Sequence, residues 1–253
     1  EKDPSRCFDQ REINIRMEYK YCPNMIVIDT PGMLHPPKGK HLTPQQRGLA
    51  MAAKDAESLV MSKISCKDYI ILCVEDTTDW KHATTRNVVT RVDPELQRTV
   101  LVTTKLDTKI PQFSDPDDLD DFFRAGPVKR MFPHIMGGPF FTSVPAGRVG
   151  NGKDFSNNDA FVDALRTVEK KDHSISTGKL GNTLQTRESL SNVGVTRLRT
   201  FLEARVEDCY RRNVAKIVPL LQQEMEQAEL KLAETEKELA SLSIDRLKHS
   251  AAI

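Results

Sequence analysis

The nine residues Thr99-Val100-Leu101-Val102-Thr103-Thr104-Lys105-Leu106-Asp107 decide the fold. The first five read as a β-strand, and the strand stops at a Thr-Lys-x-Asp step that offers a cation and a carboxylate. A second run, Met25-Ile26-Val27-Ile28, is continuously apolar and ends at Asp29-Thr30-Pro31-Gly32. That is how a strand buried on both faces reads. Strands that each end in a short polar motif point to an α/β sheet, where ligands bind at the carboxyl ends of strands.

Outward from these anchors, Ile13, Ile15, Met17 and Tyr19 alternate with polar residues, which predicts a half-buried strand. Residues 33–43 carry Pro36, Pro37 and Gly39 and read as a loop. From Pro44 the period changes: Leu49, Ala52, Ala53, Ala56, Leu59, Val60 and Ile64 follow helical spacing. Thr43 is placed to cap that helix, with Pro44 at its first position. Tyr69-Ile70-Ile71-Leu72-Cys73-Val74 is another buried strand, residues 84–92 a short helix, and Pro139-Phe140-Phe141-Thr142-Ser143 the last strand. The acidic run at 115–121 lacks the glycine and closing glutamate of a calcium loop and reads as a solvated helix start. Residues 147–194 are polar, with one helix at 159–171 bearing Phe161, Leu165 and Val168. After Gly194 a long stripe runs through Leu198, Leu202, Val206, Ile217, Leu221, Leu239 and Leu242, and Pro219 predicts two helices meeting at a bend. The fold expected is α/β: a mostly parallel sheet with helices on both faces in residues 1–194, then long α-helices in residues 195–253.

Composition narrows the function classes. The chain has 253 residues, 38% hydrophobic and 29% charged, with a formal net charge of +1. No global field points to nucleic acid. Its five cysteines are scattered without a C-x-x-C pair, which argues against a cysteine metal site and suits a reducing compartment. No apolar stretch reaches the ~18 residues of a membrane span.

The two motifs carry the chemistry. A carboxylate at Asp29 can hold the water shell of a magnesium ion, and Gly32 leaves its backbone N–H open to a terminal phosphate. D-x-x-G alone occurs by chance about once in a chain of this size, so its weight comes from its place after a strand. Asp107 can accept from both N1–H and the exocyclic amine of guanine, a donor pair that adenine lacks. Lys105 can lay its stem along the base plane, and Thr104 braces the loop. After the last strand, the loop from Thr142 and Ser143 to Ala146 can offer backbone N–H groups to the base oxygen.

The stretches VIDTPGM, VDPELQRTVLVTTKLD and PFFTSVPAGRVG closely resemble dynamin-related GTPases. YKYCPNMIVIDTPG, YIILCVEDTTDW and TTKLDTKIPQF resemble the plant and algal branch that works in chloroplast division. The resemblance runs from about Ile13 to the C-terminus. It implies a Ras-like GTPase domain using GTP and Mg2+, in a cytoplasmic protein that self-assembles into oligomers or rings around an organelle neck. Hydrolysis would drive constriction at the outer surface of the organelle, with the chloroplast envelope first and the peroxisome second. By similarity, Asp29 lies near the metal through water, Thr30 belongs to the nucleotide site, Gly32 contacts the γ-phosphate, and Lys105 and Asp107 read guanine beside Thr104 and Ser143. Residues 195–253 would be the last GTPase-domain helix, a bend at Pro219 and the start of the coiled bundle. Contact with the membrane or its receptors would come from regions outside this chain.

The pattern breaks in three places. No G-x-x-x-x-G-K-[ST] loop occurs, the family's catalytic threonine cannot be assigned, and Thr142-Ser143-Val144-Pro145 replaces an Asn-Arg segment. A truncated chain is the simplest explanation. The strands ending at Asp29 and Glu75 would then lack a central partner, so the fragment alone is expected to fold poorly and be inactive. The runner-up reading is a catalytically silent scaffold. A regulatory GTP switch of another class fits the long helical extension less well.

Overall fold

The computed structural model describes residues 11–18, 20, 25–33, 39, 41, 43–76, 78–81 and 83–241. Two compact units divide the chain, Glu1–Thr200 and Phe201–Ile253.

In the first unit, Thr43 opens helix α1 (Pro44–Ile64) with a capping box. Its hydroxyl accepts from the Gln46 N–H, the Gln46 side chain accepts from the Thr43 N–H, and Pro44 occupies the first turn. Ala52, Ala53, Ala56 and Val60 form its buried face. Strand β1 (Ile71–Glu75) follows, then helix α2 (Thr84–Val89) and strand β2 (Thr99–Thr103). Asp93 shapes the turn into β2, accepting from the Gln97 and Arg98 N–H groups and from the Thr99 hydroxyl at 2.6 Å. Beyond β2 come α3 (Leu106–Lys109), a 3-10 turn (Ile110–Gln112), α4 (Pro116–Arg124), α5 (Gly126–Met131) and β3 (Gly137–Phe141). Helices α6 (Asn158–Leu180) and α7 (Leu184–Ser189) precede α8 (Val195–Ser241).

The three strands form a parallel sheet in the order β1-β2-β3, so β2 is central and buried along its whole length. One sheet face carries Ile71, Cys73, Leu101 and Phe141 into a core with Trp80, Leu106, Ile110, Leu119, Phe122, Phe123 and Val128. Phe122 is the hub of its aromatics, 5.3 Å from Trp80 and 5.1 Å from Phe141 between ring centroids. On the opposite face Val100, Val102 and Phe140 are buried, whereas Leu72 and Val74 of the outer strand remain about half exposed. Burial pushes the Cys73 thiol far above its ordinary value, which fits a small core residue rather than a reactive one.

Beneath the core lies a buried ion pair. Arg86 donates from Nε and Nη2 to the two carboxylate oxygens of Glu75 at 2.9 and 2.8 Å, and from Nη1 to the Trp80 carbonyl at 2.8 Å. Both side chains are almost fully buried, so each charge depends on the other.

The α/β architecture is as expected from the sequence, and four local expectations are corrected. Residues 11–18 and 25–30 form no strand, and Ile13, Ile15, Met17, Ile26 and Val27 are exposed; Tyr19 lies outside the described residues. An apolar run becomes a buried strand only when a neighbour takes up its N–H and C=O groups, and no described strand pairs with this one. β1 is not buried on both faces, for the same reason: its outer edge has no described partner strand. Helix α6 runs on to Leu180, and α7 lies in a stretch expected to be loop. Finally, α8 passes through Pro219 as one helix rather than breaking into two. Proline keeps a helical φ and forfeits one hydrogen bond, which 47 residues of helix can carry.

In the second unit Leu220, Leu221, Met225, Leu230, Leu232 and Leu239 are exposed along the helix, and Leu242 lies outside the described residues. No described helix is long and apolar enough to cross a membrane.

Candidate functional site

The site is built where β2 and β3 end. Thr104 donates its N–H to the Glu75 carbonyl at 3.0 Å, so the chain leaving β2 stays in register with β1 for one more residue. Lys105 then turns sharply, with φ 56° and ψ 43°, a left-handed conformation unusual for a residue with a Cβ. The turn starts α3 and is clamped by the neighbouring strand end. Leu106 donates its N–H to the Thr142 carbonyl at 3.1 Å, and the Asp107 N–H donates to the Ser143 hydroxyl at 2.9 Å. Ser143 is buried, while the Asp107 side chain is exposed and makes no ion pair with any described residue. A carboxylate thus stands at the carboxyl end of the central strand with its backbone held and its side chain free to accept.

Charge around Lys105 is also organised. Its ammonium pairs with Asp76 at 2.5 Å, and the second Asp76 oxygen takes Lys109 at 2.5 Å. Lys109 is buried and also donates to the Thr104 carbonyl, so its charge is satisfied on two sides. The hydrogen bond from Lys105, followed by that from Lys109, holds the Asp76 carboxyl below its ordinary value. Asp76 in turn raises Lys105. Asp76 therefore fixes the lysine stem on one side of the loop.

On the other side lies a buried carboxylate that the sequence reading passed over. Asp172 of α6 is 2% exposed. Burial raises its pKa first, the Ser143 hydroxyl opposes that, and the charge of Asp107 raises it further; Lys171 lowers it and Glu169 raises it. Above that raised value the folded protein holds a charge it disfavours. Stability from this group is therefore gained as pH falls through the raised value towards 3.8. Asp172→Asn should accordingly stabilise the protein at pH 7, with the advantage shrinking as the pH drops towards 4. Urea midpoints of variant and wild type across that range would check it, and a pH-independent difference would contradict it.

Thr104, Lys105, Asp107 and Ser143 are brought together. Asp29, Thr30 and Gly32 are not. They lie in a segment without strand structure, Asp29 and Gly32 exposed, and no described hydrogen bond joins them to the Lys105 loop. No described group of three or more His, Cys, Asp or Glu side chains forms a metal site. Asp76, Lys109 and Asp172 were missed. Lys109 follows Lys105 by four residues, the spacing that brings side chains together on a helix. Asp172 continues the apolar stripe Phe161, Leu165, Val168 at helical spacing, and an acid on such a stripe is a signal in itself.

The chemistry of the donor set fits a guanine base on the Asp107 side. Asp107 would take the base's paired N–H donors, and Lys105, held by Asp76, would flank its plane. The same test is not met for Mg2+ and the phosphates, because the residues expected to hold them are not assembled.

A family model described as the dynamin family matches residues 1–106. The chain is 43% identical over 98% of its length to the dynamin-like protein ARC5 of Arabidopsis thaliana, covering 32% of that protein. It is 26% identical over 84% of its length to dynamin-related protein 5A of the same plant, covering 24% of it. Dynamin-like protein C of Dictyostelium discoideum is 22% identical over 93% of the chain, which covers 24% of that protein. The chain thus spans a third or less of the length of these relatives.

Proposed function

The chain belongs to the dynamin family, and on that premise we propose that it supplies the base-reading side of a GTP-hydrolysing domain in a mechanochemical dynamin. The observation that carries this reading is the Asp107 loop. Its N–H is fixed on Ser143 while its carboxylate is left exposed at the end of the central strand. Thr104 joins the loop to β1, and Lys105 flanks the base. GTP would be bound with Mg2+ in the full-length protein, and Asp29, Thr30 and Gly32 would serve the metal and the terminal phosphate once their strand is paired. The family's chemistry would then be phosphoryl transfer to water, which depends on positioning and charge stabilisation.

The full-length protein would assemble into oligomers or rings on the outer surface of an organelle and couple turnover to constriction. Similarity to a plant dynamin-like protein and the branch-specific stretches favour the chloroplast envelope, reached from the cytoplasm. Lipid or receptor contact would lie in regions outside these residues, because the polar face of α8 mixes Glu and Lys rather than presenting a basic surface.

Turnover of GTP and ATP by the full-length protein, over a range of protein concentrations, tests this. The reading expects hydrolysis of GTP alone, with a rate per molecule that climbs as assembly sets in. Assembly without hydrolysis or binding of any nucleotide would make the protein a catalytically silent scaffold.

A further inference from the structure

Lys109 has no part in the function as described so far, yet its ammonium lies under the base-reading loop. Its side chain is 4% exposed, and it donates to one Asp76 oxygen and to the Thr104 carbonyl, both at 2.5 Å. A buried ammonium is costly unless it is paired and hydrogen-bonded, and these two contacts meet that need. Both lead to the loop. The Thr104 carbonyl immediately precedes the left-handed turn at Lys105, where φ is 56°. The other Asp76 oxygen accepts from the Lys105 ammonium at 2.5 Å. That outer pair is open to water, with the Lys105 and Asp76 side chains 62% and 48% exposed. An exposed pair between two free side chains holds little, because both must be ordered to make it. Here one end is already fixed. The Thr104 carbonyl holds Lys109, Lys109 holds Asp76, and Lys105 has only its own stem to order.

We propose that Lys109 is a positioning residue for guanine recognition: by fastening Asp76 it keeps the Lys105 side chain in place at the base site before nucleotide arrives. The proposal rests on the reading of Lys105 and Asp107 as the base-reading pair. Lys109 does not touch the base; it acts through Asp76. It makes Asp76, just past the end of β1, a link between two lysines rather than a contact of the ligand.

The test uses the full-length protein and equilibrium binding of GDP and XDP, with thermal melts run alongside. Lys109→Met keeps a buried unbranched stem and removes the charge, and the half-exposed Asp76 can then turn to water. It should weaken GDP about tenfold, the loss expected when a free lysine side chain must be ordered on binding. Lys105→Ala should weaken GDP at least as much. Lys109→Met added to Lys105→Ala should then lose nothing further, because the group that it positions is gone. A brace that only stabilised the loop would lose the same factor in either background. If Lys109→Met melts early, Lys109→Gln, which keeps a donor for the Thr104 carbonyl without the charge, carries the same comparison.

Wild-type GDP affinity in the Lys109 variants, or an equal further loss on the Lys105→Ala background, would overturn the positioning role. Asp107→Asn separates the two layers. If it switches preference to XDP while the Lys109 variants bind GDP as the wild type does, the positioning role alone falls. If it does not switch, the base reading falls and the positioning role falls with it.

Discussion

Asp107→Asn in the full-length protein should turn a GTP-preferring site into one that prefers XTP. Guanine presents N1–H and an exocyclic amine side by side, and a carboxylate accepts both. Xanthine replaces the amine with a carbonyl, which repels a carboxylate but accepts from an amide. Asparagine therefore matches xanthine, with its oxygen on N1–H and its NH2 on the new carbonyl. Hydrogen bonds to a charged group contribute roughly 1.5–3 kcal/mol each, so losing one and turning the other into a clash should weaken GTP by about a hundredfold or more. The substitution is conservative for the fold. The Asp107 side chain is exposed, and the contact that holds the loop is made by its backbone N–H on Ser143. The measurement is the ratio of GTP to XTP affinity in variant and wild type. A variant that loses both nucleotides equally would point to a disturbed loop instead.

Arg86→Met should be the most destabilising single change in the sheet region. It leaves Glu75 buried and charged between β1 and the aromatic core, with both Arg86 hydrogen bonds gone and the Trp80 carbonyl unpaired. Removing one partner of a buried pair costs about 3–5 kcal/mol, a large share of the ~5–15 kcal/mol that holds a domain together. The damage should reach the site, because Glu75 precedes Asp76 and its carbonyl takes the Thr104 N–H. Urea unfolding followed by Trp80 fluorescence, which reports on this core, checks the size of the loss. The double variant Glu75→Met with Arg86→Met should be less destabilised than Arg86→Met alone, since no charge is then left unpaired. A single variant within about 1 kcal/mol of wild type would show that water reaches the pair and that neither charge depends on the other.

The legible parts of this protein are those whose signals are local. Thr43 and Pro44 announce the first helix, and the structure shows the capping box they form. The strand from Thr99 to Thr103 and the Thr104-Lys105-Leu106-Asp107 step could be read directly, because both depend on residues adjacent in the chain. Of the strands expected at residues 13–19 and 25–28, the described residues 13–18 and 25–28 form none, since a strand needs a partner that its own period cannot guarantee. Leu72 and Val74 show the same effect on an otherwise correctly placed strand. Pro219 misled because proline lowers the stability of a helix without forbidding it. In the site, Asp76 and Asp172 were hidden by distance in sequence. One lies 29 residues before Lys105, and the other sits on a helix whose length was underestimated.

Hydrogen exchange of the full-length protein with and without GDP and Mg2+ tests the central claim most directly. The account predicts slowed exchange at the amides of Leu106, Asp107 and Thr108 and across Ser143 to Ala146, with no such change when ADP replaces GDP. Saturable GDP binding that leaves both loops exchanging as before would contradict it, and would place the nucleotide somewhere other than the end of the central strand.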